Sequence, residues 1–210
     1  MIIAIDGPTA SGKGTIAKAL AAHYGLPHLD TGLLYRAVGR QVFLTGGNPD
    51  DPADALAAAD FPESLLADEA LRSEDTGALA SRVSIHKAVR AALLARQQAF
   101  ARQPGGAVLD GRDIATVIAP EAEAKLFITA SVAARALRRW LEMQNRGEAA
   151  TREEIEADLA ARDERDRNRA AAPLRQAEGA ALLDTSGLPI EAAIAAAIAL
   201  VERQIAAHRA

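Results

Sequence analysis

Apolar residues along this chain gather into five short runs, Ile2–Ile5, Pro27–Leu29, Ala107–Leu109, Lys125–Thr129 and Ala181–Leu183. They are nearly unbroken rather than alternating, which suits strands covered on both faces of a parallel sheet. Between them apolar positions recur at helical spacing, as in Ile16-Ala17-Lys18-Ala19-Leu20. Strand and helix in turn predict an α/β fold with a mostly parallel sheet. A single helical stretch is predicted over Ala80–Arg102, with Val83, Ile85, Val89, Leu93, Leu94 and Phe100 as its apolar positions.

Two segments break this rhythm. From Gly46 to Leu79, Gly46-Gly47-Asn48-Pro49 and Pro52 interrupt the pattern and acidic residues dominate. This predicts an insertion over about 46–80, built of short helices and loops. Leu56, Phe61, Leu65, Leu66 and Leu71 would supply its apolar contacts. The second segment, Asn145–Leu174, is dense in Arg, Asp and Glu and bracketed by Gly147 and Pro173. No fixed-period repeat is evident.

Composition narrows the function. A chain of 210 residues buries a full core, and its length predicts one domain. A net charge of −4 argues against a nucleic-acid partner, so any positive site must be local. The absence of cysteine excludes disulfides, thiolate metal sites and cysteine nucleophiles. No apolar run approaches the ~20 residues that span a bilayer. The N-terminus lacks a signal-peptide layout. The expectation is a cytoplasmic protein with no membrane partner.

The richest chemistry lies in Gly7-Pro8-Thr9-Ala10-Ser11-Gly12-Lys13-Gly14-Thr15, between the first predicted strand and a predicted helix. A strand, a glycine-bearing loop and a helix N-terminus place several backbone N–H groups around one anion. Lys13 adds a mobile charge that can follow the β- and γ-phosphates of a nucleotide. Gly14 stands where the ordinary P-loop has Ser or Thr, and Thr15 follows it. Thr15 is therefore one candidate magnesium ligand.

Three further groups deserve weighing against plainer readings. In Leu29-Asp30-Thr31-Gly32-Leu33-Leu34-Tyr35-Arg36, helix capping by Asp30 or Thr31 is a complete structural explanation, while Arg36 could reach an anion near the helix start. Val108-Leu109-Asp110-Gly111-Arg112-Asp113 is an apolar strand ending in aspartate, and strand C-termini are where open α/β sheets bind ligands. Asp110 thus reads either as a Walker B-type carboxylate for magnesium or, equally, as a turn-forming residue before Gly111. Arg112 suits a phosphate. Asp113, as a pure acceptor, suits an exocyclic amino group. In Arg162-Asp163-Glu164-Arg165-Asp166-Arg167-Asn168-Arg169, positions 162, 166 and 169 share one helical face, and Asp163 and Arg167 form an i, i+4 pair. A solvated, salt-bridged helix accounts for this pattern. Beside a P-loop, the same arginines fit a lid that excludes water during phosphoryl transfer. His23, His28, His86 and His208 show no metal spacing and are read as structural, and Trp140 and Met143 as packing residues.

Taken in order, Ile-Asp-Gly-Pro-x3-Gly-Lys-Gly-Thr, Leu-Asp-Thr-Gly-x2-Tyr-Arg, Asp-Gly-Arg-Asp and Arg-Asp-x-Arg-Asp-Arg-Asn-Arg resemble the bacterial cytidylate (CMP) kinases, from Ile2 to Leu183. The resemblance implies a P-loop nucleoside monophosphate kinase fold of three layers, with a five-stranded parallel sheet. It implies ATP and Mg2+ as donor and metal, CMP and dCMP as acceptors, and a monomer. Residues 7–15 would hold the donor phosphates, and Arg36, Arg112 and Arg169 the acceptor phosphate, near Thr31. Ser81, Arg90 and Asp113 match the cytosine contacts, and Arg162 and Asp166 the ribose side. Lys13, Arg112, Arg162 and Arg165 would act on the transferred group, with Thr15 and Asp110 toward magnesium. The chain departs from longer relatives, which carry a small β-sheet in the insertion: Pro62–Ser81 here contains no hairpin pattern. Rival readings are the same fold acting on AMP, UMP or another metabolite, and a nucleotide switch. The Asn-Lys-x-Asp motif of guanine-specific switches is missing from the sequence.

Overall fold

Five strands, β1 (Ile2–Asp6), β2 (His28–Asp30), β3 (Ala107–Gly111), β4 (Ala124–Thr129) and β5 (Ala181–Asp184), form one sheet in the order β2-β3-β1-β4-β5. Every pairing is parallel. The helices are α1 (Lys13–Tyr24), α2 (Thr31–Leu44), α3 (Pro52–Ala57), α4 (Glu74–Val83), α5 (Lys87–Ala101), α6 (Val132–Asn145), α7 (Arg152–Asn168) and α8 (Ile190–Arg209). These come from a computed structural model that describes residues 1–145, 147 and 149–209.

The apolar runs are the strands, but only β1 and β3 are buried throughout; β4 is buried at alternate positions, and the edge strands β2 and β5 are partly open, with Leu182 of β5 exposed. Ile3 and Ile5 of β1 meet Ile16 and Leu20 of α1 and Ala197 and Val201 of α8. Ile2 and Ala4 point the other way, onto Ala101 of α5 and onto Ile114 and Ile118 of the turn after β3. The result is three layers, helix on sheet on helix. Asp110 pairs with Ile5 and with Asp30 inside the ladder. It is a strand residue, and the turn-forming reading of it does not hold.

The insertion between α2 and α4 consists of α3 and two 3-10 turns, Glu63–Ala67 and Glu69–Arg72, with no strand among the described residues. Phe61, Leu65 and Leu71 pack there against Val38, Val42, Val83 and Val89, as expected, whereas Leu56 faces solvent. The stretch predicted as one helix over Ala80–Arg102 is two. Ser84 Oγ donates to the Ser81 carbonyl at 3.0 Å, and His86, in extended backbone, bonds the Pro49 carbonyl through Nε2 at 2.9 Å. These two bonds, one local and one reaching back to the start of the insertion, end α4 and restart the chain as α5, leaving Ile85 exposed.

α6 and α7 pack on each other through Ala136, Ile155 and Leu159, with Trp140 and Met143 against them as packing residues. A reciprocal capping box starts α7: Thr151 Oγ1 accepts from the Glu154 N–H at 3.2 Å, and Glu154 Oε2 from the Thr151 N–H at 2.9 Å. Arg146 and Glu148 of the predicted 145–174 segment lie outside the described residues.

Candidate active site

The loop from β1 to α1 is pressed onto the sheet. A Cβ on Gly7 would come 1.9 Å from the Ile128 carbonyl oxygen, so only glycine lets the chain pass β4 this closely. The loop ends at Gly12 (φ 85°), and α1 begins at Lys13. Two chambers open around it. One, of about 240 Å³, runs from Thr9, Lys13 and Gly14 past Asp110 and Arg112 to Ser81, Arg90 and Asp113. The other, of about 600 Å³, follows Ala10 to Ile16 out to Arg138, Thr185, Leu188 and Ile190. Lys13, Gly14, Asp30 and Arg139 border both.

Most of the predicted site residues meet here. Thr31, Arg36, Ser81, Arg90, Arg112, Asp113, Arg162, Asp166 and Arg169 all line the smaller chamber with Lys13 and Asp110. Thr15 borders the larger one, so the two candidate magnesium residues open onto different chambers. Gly7 and Pro8 border neither; they shape the loop, and the Pro8 carbonyl accepts from Lys13 Nζ at 3.4 Å. Arg165 is exposed and outside the lining, and its Nε donates to Ser81 Oγ at 3.2 Å. The capping role proposed for Asp30 and Thr31 is not what they do. Asp30 precedes α2 without a side-chain cap, and Thr31 Oγ1 donates instead to the Asp110 carbonyl at 2.9 Å. Gly111 permits this contact, since a Cβ there would lie 2.3 Å from Thr31 Oγ1.

The chamber of a chain with net charge −4 is lined by seven Lys and Arg side chains against five carboxylates. Several are held by protein partners. Arg112 donates through Nε to Asp166 Oδ2 at 2.8 Å and through Nη2 to Thr9 Oγ1, tying α7 to the loop. Arg36 is fixed by the Leu71 and Ser73 carbonyls at 2.7 and 2.8 Å. Arg90 Nη2 meets Asp113 Oδ2 at 2.5 Å, with the Tyr35 ring 5.5 Å beneath its guanidinium. Arg169 is different. Its Nη2 is buried without a hydrogen bond among the described residues, and the Asp113 carboxylate comes only to 3.9 Å. An orphaned buried donor of this kind suits an anion.

Charge and burial perturb the site consistently. Burial, then Arg112, pushes Lys13 down to about 8 and Arg162 down to about 10. Burial would raise Asp166, but Arg112, Arg169 and Arg162 outweigh it and hold the carboxyl below its usual range. Burial would lower Arg112 and Arg90 too, but acidic neighbours including Asp166 and Asp113 outweigh it and raise them, so Lys13 and Arg162 are the cations a bound polyanion would relieve. Behind the site, the buried Asp6 carboxylate accepts from the Ile114 and Ala115 N–H groups at 2.8 and 2.9 Å, anchoring the turn that follows Arg112 and Asp113. Burial pushes Asp6 up to about 7.

Several contributors had no motif to mark them. His28, read as merely structural, places Nε2 2.7 Å from Asp110 Oδ1. Its position two residues before Asp30 in a strand, on the face that Asp110 shares, was the available sign. Arg135 of α6 is 2% exposed and joins Asp163 of α7 to the Thr9 and Ala130 carbonyls. Arg139 of α6 pairs with Glu74 at the start of α4. Nothing in local spacing links either pair.

The likeness to known proteins agrees with this geometry. The family model for cytidylate kinase matches residues 3–203. The cytidylate kinase of Xanthobacter autotrophicus is 59% identical over 202 residues, covering 96% of this chain and 97% of its own. Those of Rhodopseudomonas palustris and Cereibacter sphaeroides are 55% and 56% identical, covering 100% and 99% of this chain and 99% and 98% of theirs. A crystal structure of an uncharacterized protein from Eubacterium ventriosum has the same fold, with a TM-score of 0.56 and 14% identity over 96% of this chain and 98% of that one. Agreement over the full length at more than half of all positions decides the grouping: the chain belongs to the cytidylate kinase family.

Proposed function

We propose that this cleft transfers the γ-phosphoryl group of ATP to the 5′-phosphate of CMP, and of dCMP, giving ADP and the corresponding diphosphate. The observation that carries this reading is one chamber with a phosphate-type loop at one end and Ser81, Arg90 and Asp113 at the other. Arg112, bonded to Thr9 and Asp166, and Arg169, 3.9 Å from Asp166 and Asp113, connect the two ends. The donor occupies the larger chamber, its phosphates reaching Lys13 through the loop N–H groups. The acceptor phosphate takes Arg36, Arg112 and the free Nη2 of Arg169. Its oxygen is already ionised at neutral pH, so no strong base is needed, and catalysis is alignment plus charge neutralisation.

Cytosine offers an amino group beside two acceptors. Asp113 accepts from the amino group, while Arg90 donates to the ring nitrogen and carbonyl. Uracil presents the reverse pattern there, a carbonyl facing a carboxylate. Adenine carries an amino group but a second ring, so size excludes it. Replacing Asp113 with Asn is expected to lower kcat/KM for CMP by about 10²-fold while raising the UMP-to-CMP ratio, because an amide presents both a donor and an acceptor. Steady-state kinetics on both acceptors checks this; an unchanged ratio would mean that Asp113 does not read the base.

The segment 145–174 is the lid in this account and 46–80 the acceptor-side insertion. Arg162 and Asp166 serve the ribose side and Arg165 steadies Ser81. Mg2+ fits as an ion carried mainly by nucleotide phosphates and water. No cluster of three or more metal-binding side chains occurs among the described residues, yet Asp110 and Asp30 line the chamber with Lys13, and Thr15 follows Lys13 by two residues on α1, bordering the larger chamber. Bound there, it would offset charge on the donor phosphates. The protein acts as a monomer in this account. No described helix is long and apolar enough to cross a membrane, consistent with cytoplasmic work on small nucleotides.

Lys13 adds a pH prediction. Its protonated form holds phosphate, and in the free protein it titrates at about 8. Then kcat/KM for ATP should fall as pH rises through that value. Bound phosphates draw the pKa back up, so kcat should stay level over the same range. Parallel declines in both would contradict the assignment.

A further inference from the structure

His28 begins β2, and its side chain reaches diagonally across to β3. His28 lies opposite Val108 and Asp30 opposite Asp110, so His28 and Asp110 are offset by two positions on one face of the sheet. Nε2 of His28 is 2.7 Å from Oδ1 of Asp110, with side-chain exposures of 15% and 3%. A carboxylate can only accept, so the ring donates from Nε2. The backbone of Asp110 is held as well, since Thr31 Oγ1 donates to its carbonyl at 2.9 Å. One carboxylate oxygen remains. Oδ2 lies 3.8 Å from where a Cβ on Gly14 would sit, facing the first turn of α1 between Lys13 and Thr15.

We propose that His28 is a positioning residue for Asp110: by occupying Oδ1 it fixes the carboxylate so that Oδ2 alone is presented to the metal-bearing phosphates at the loop. This rests on the reading of Asp110 as the magnesium-side carboxylate. A carboxylate without such a partner rotates between orientations that offer either oxygen or neither. An outer hydrogen bond that removes this freedom typically changes metal affinity or activity by about 10–100-fold. His28 lines neither chamber and touches the site through Asp110, so the effect should appear in magnesium-dependent donor binding and not in CMP recognition.

The test is calorimetric titration of the full chain with ATP, with and without Mg2+, alongside the KM for CMP. Three variants are compared: His28→Phe, which keeps bulk and removes the donor, His28→Gln, whose amide N–H can replace Nε2–H, and Asp110→Asn. His28→Phe is expected to weaken Mg2+-dependent ATP binding by about 10-fold or more. ATP binding without Mg2+ and the KM for CMP should stay within about twofold, and His28→Gln should recover most of the loss. If Asp110→Asn weakens Mg2+-dependent binding and His28→Phe does not, His28 has no positioning role while the reading of Asp110 stands. If neither variant changes it, the reading of Asp110 fails and the proposal with it. A loss that is equal with and without Mg2+, or that Gln does not relieve, would make His28 a packing residue and overturn the proposal.

Discussion

Replacing Lys13 with Met should lower kcat by about 10³-fold while leaving the protein folded. Lys13 lies at the junction of the two chambers, on the first residue of α1, where a transferred group would pass. Its one side-chain hydrogen bond among the described residues is a long one, 3.4 Å to the Pro8 carbonyl. Burial already disfavours its charge, as its lowered pKa of about 8 records. A methionine of similar length removes that burdened charge, so the melting temperature should hold or rise slightly. The loss therefore falls on the transition state, where the ammonium would follow charge moving between donor and acceptor. Single-turnover kinetics beside a thermal melt separates the two effects. Near-normal turnover in a folded variant would remove Lys13 from the mechanism.

The second large effect is on stability. Arg135 and Asp163 are 2% and 4% exposed in their side chains and paired through two contacts, 3.0 and 2.5 Å. Arg135→Met strands a buried carboxylate and should cost about 3–5 kcal/mol. For a chain of this length that is a fall in melting temperature of roughly 10 °C. Arg167, at 3.4 Å from Asp163, is 58% exposed and compensates little. Adding Asp163→Leu should restore part of the loss and not all, because the Ala130 and Thr9 carbonyls lose their Arg135 donor in either background. Activity should suffer as well, since the pair ties the helix bearing Arg162 and Asp166 to the loop through Thr9. Thermal melts of the single and double variants decide this. A double variant no more stable than Arg135→Met would show that the cost is not that of an unpaired buried charge.

What could be read beforehand was local. Five continuous apolar runs announce five strands, though only the inner ones are well covered, and the spacing of glycines around Lys13 announces a loop over an anion, because both are properties of neighbouring residues. The failures share a cause: partners distant in the chain. Asp163 and Arg167 do form their i, i+4 contact, yet the dominant partner of Asp163 is Arg135, 28 residues back in α6. Thr31 reads as a cap because Thr at a helix start usually is one, but the C-terminal end of β3 offers it the Asp110 carbonyl instead. The helix over residues 80–102 broke where Ser84 and His86 found nearby and distant carbonyls that helical periodicity cannot reveal. Arg36, Arg112 and Asp113 are legible as candidates from their places at a helix start and a strand end, and Arg169 from its charged cluster, while their roles come from the order of the motifs along the chain. Their convergence belongs to the sheet order, which sets β3 between β2 and β1.

The central claim is acceptor-dependent phosphoryl transfer selective for cytosine. The most direct measurement is ADP release from ATP and Mg2+ with CMP, dCMP, UMP and AMP offered separately. The account predicts rapid turnover with CMP, turnover with dCMP, and rates with UMP and AMP lower by about 10²-fold or more. ADP release that no nucleotide acceptor accelerates, or that AMP or UMP accelerates as well as CMP, would contradict it.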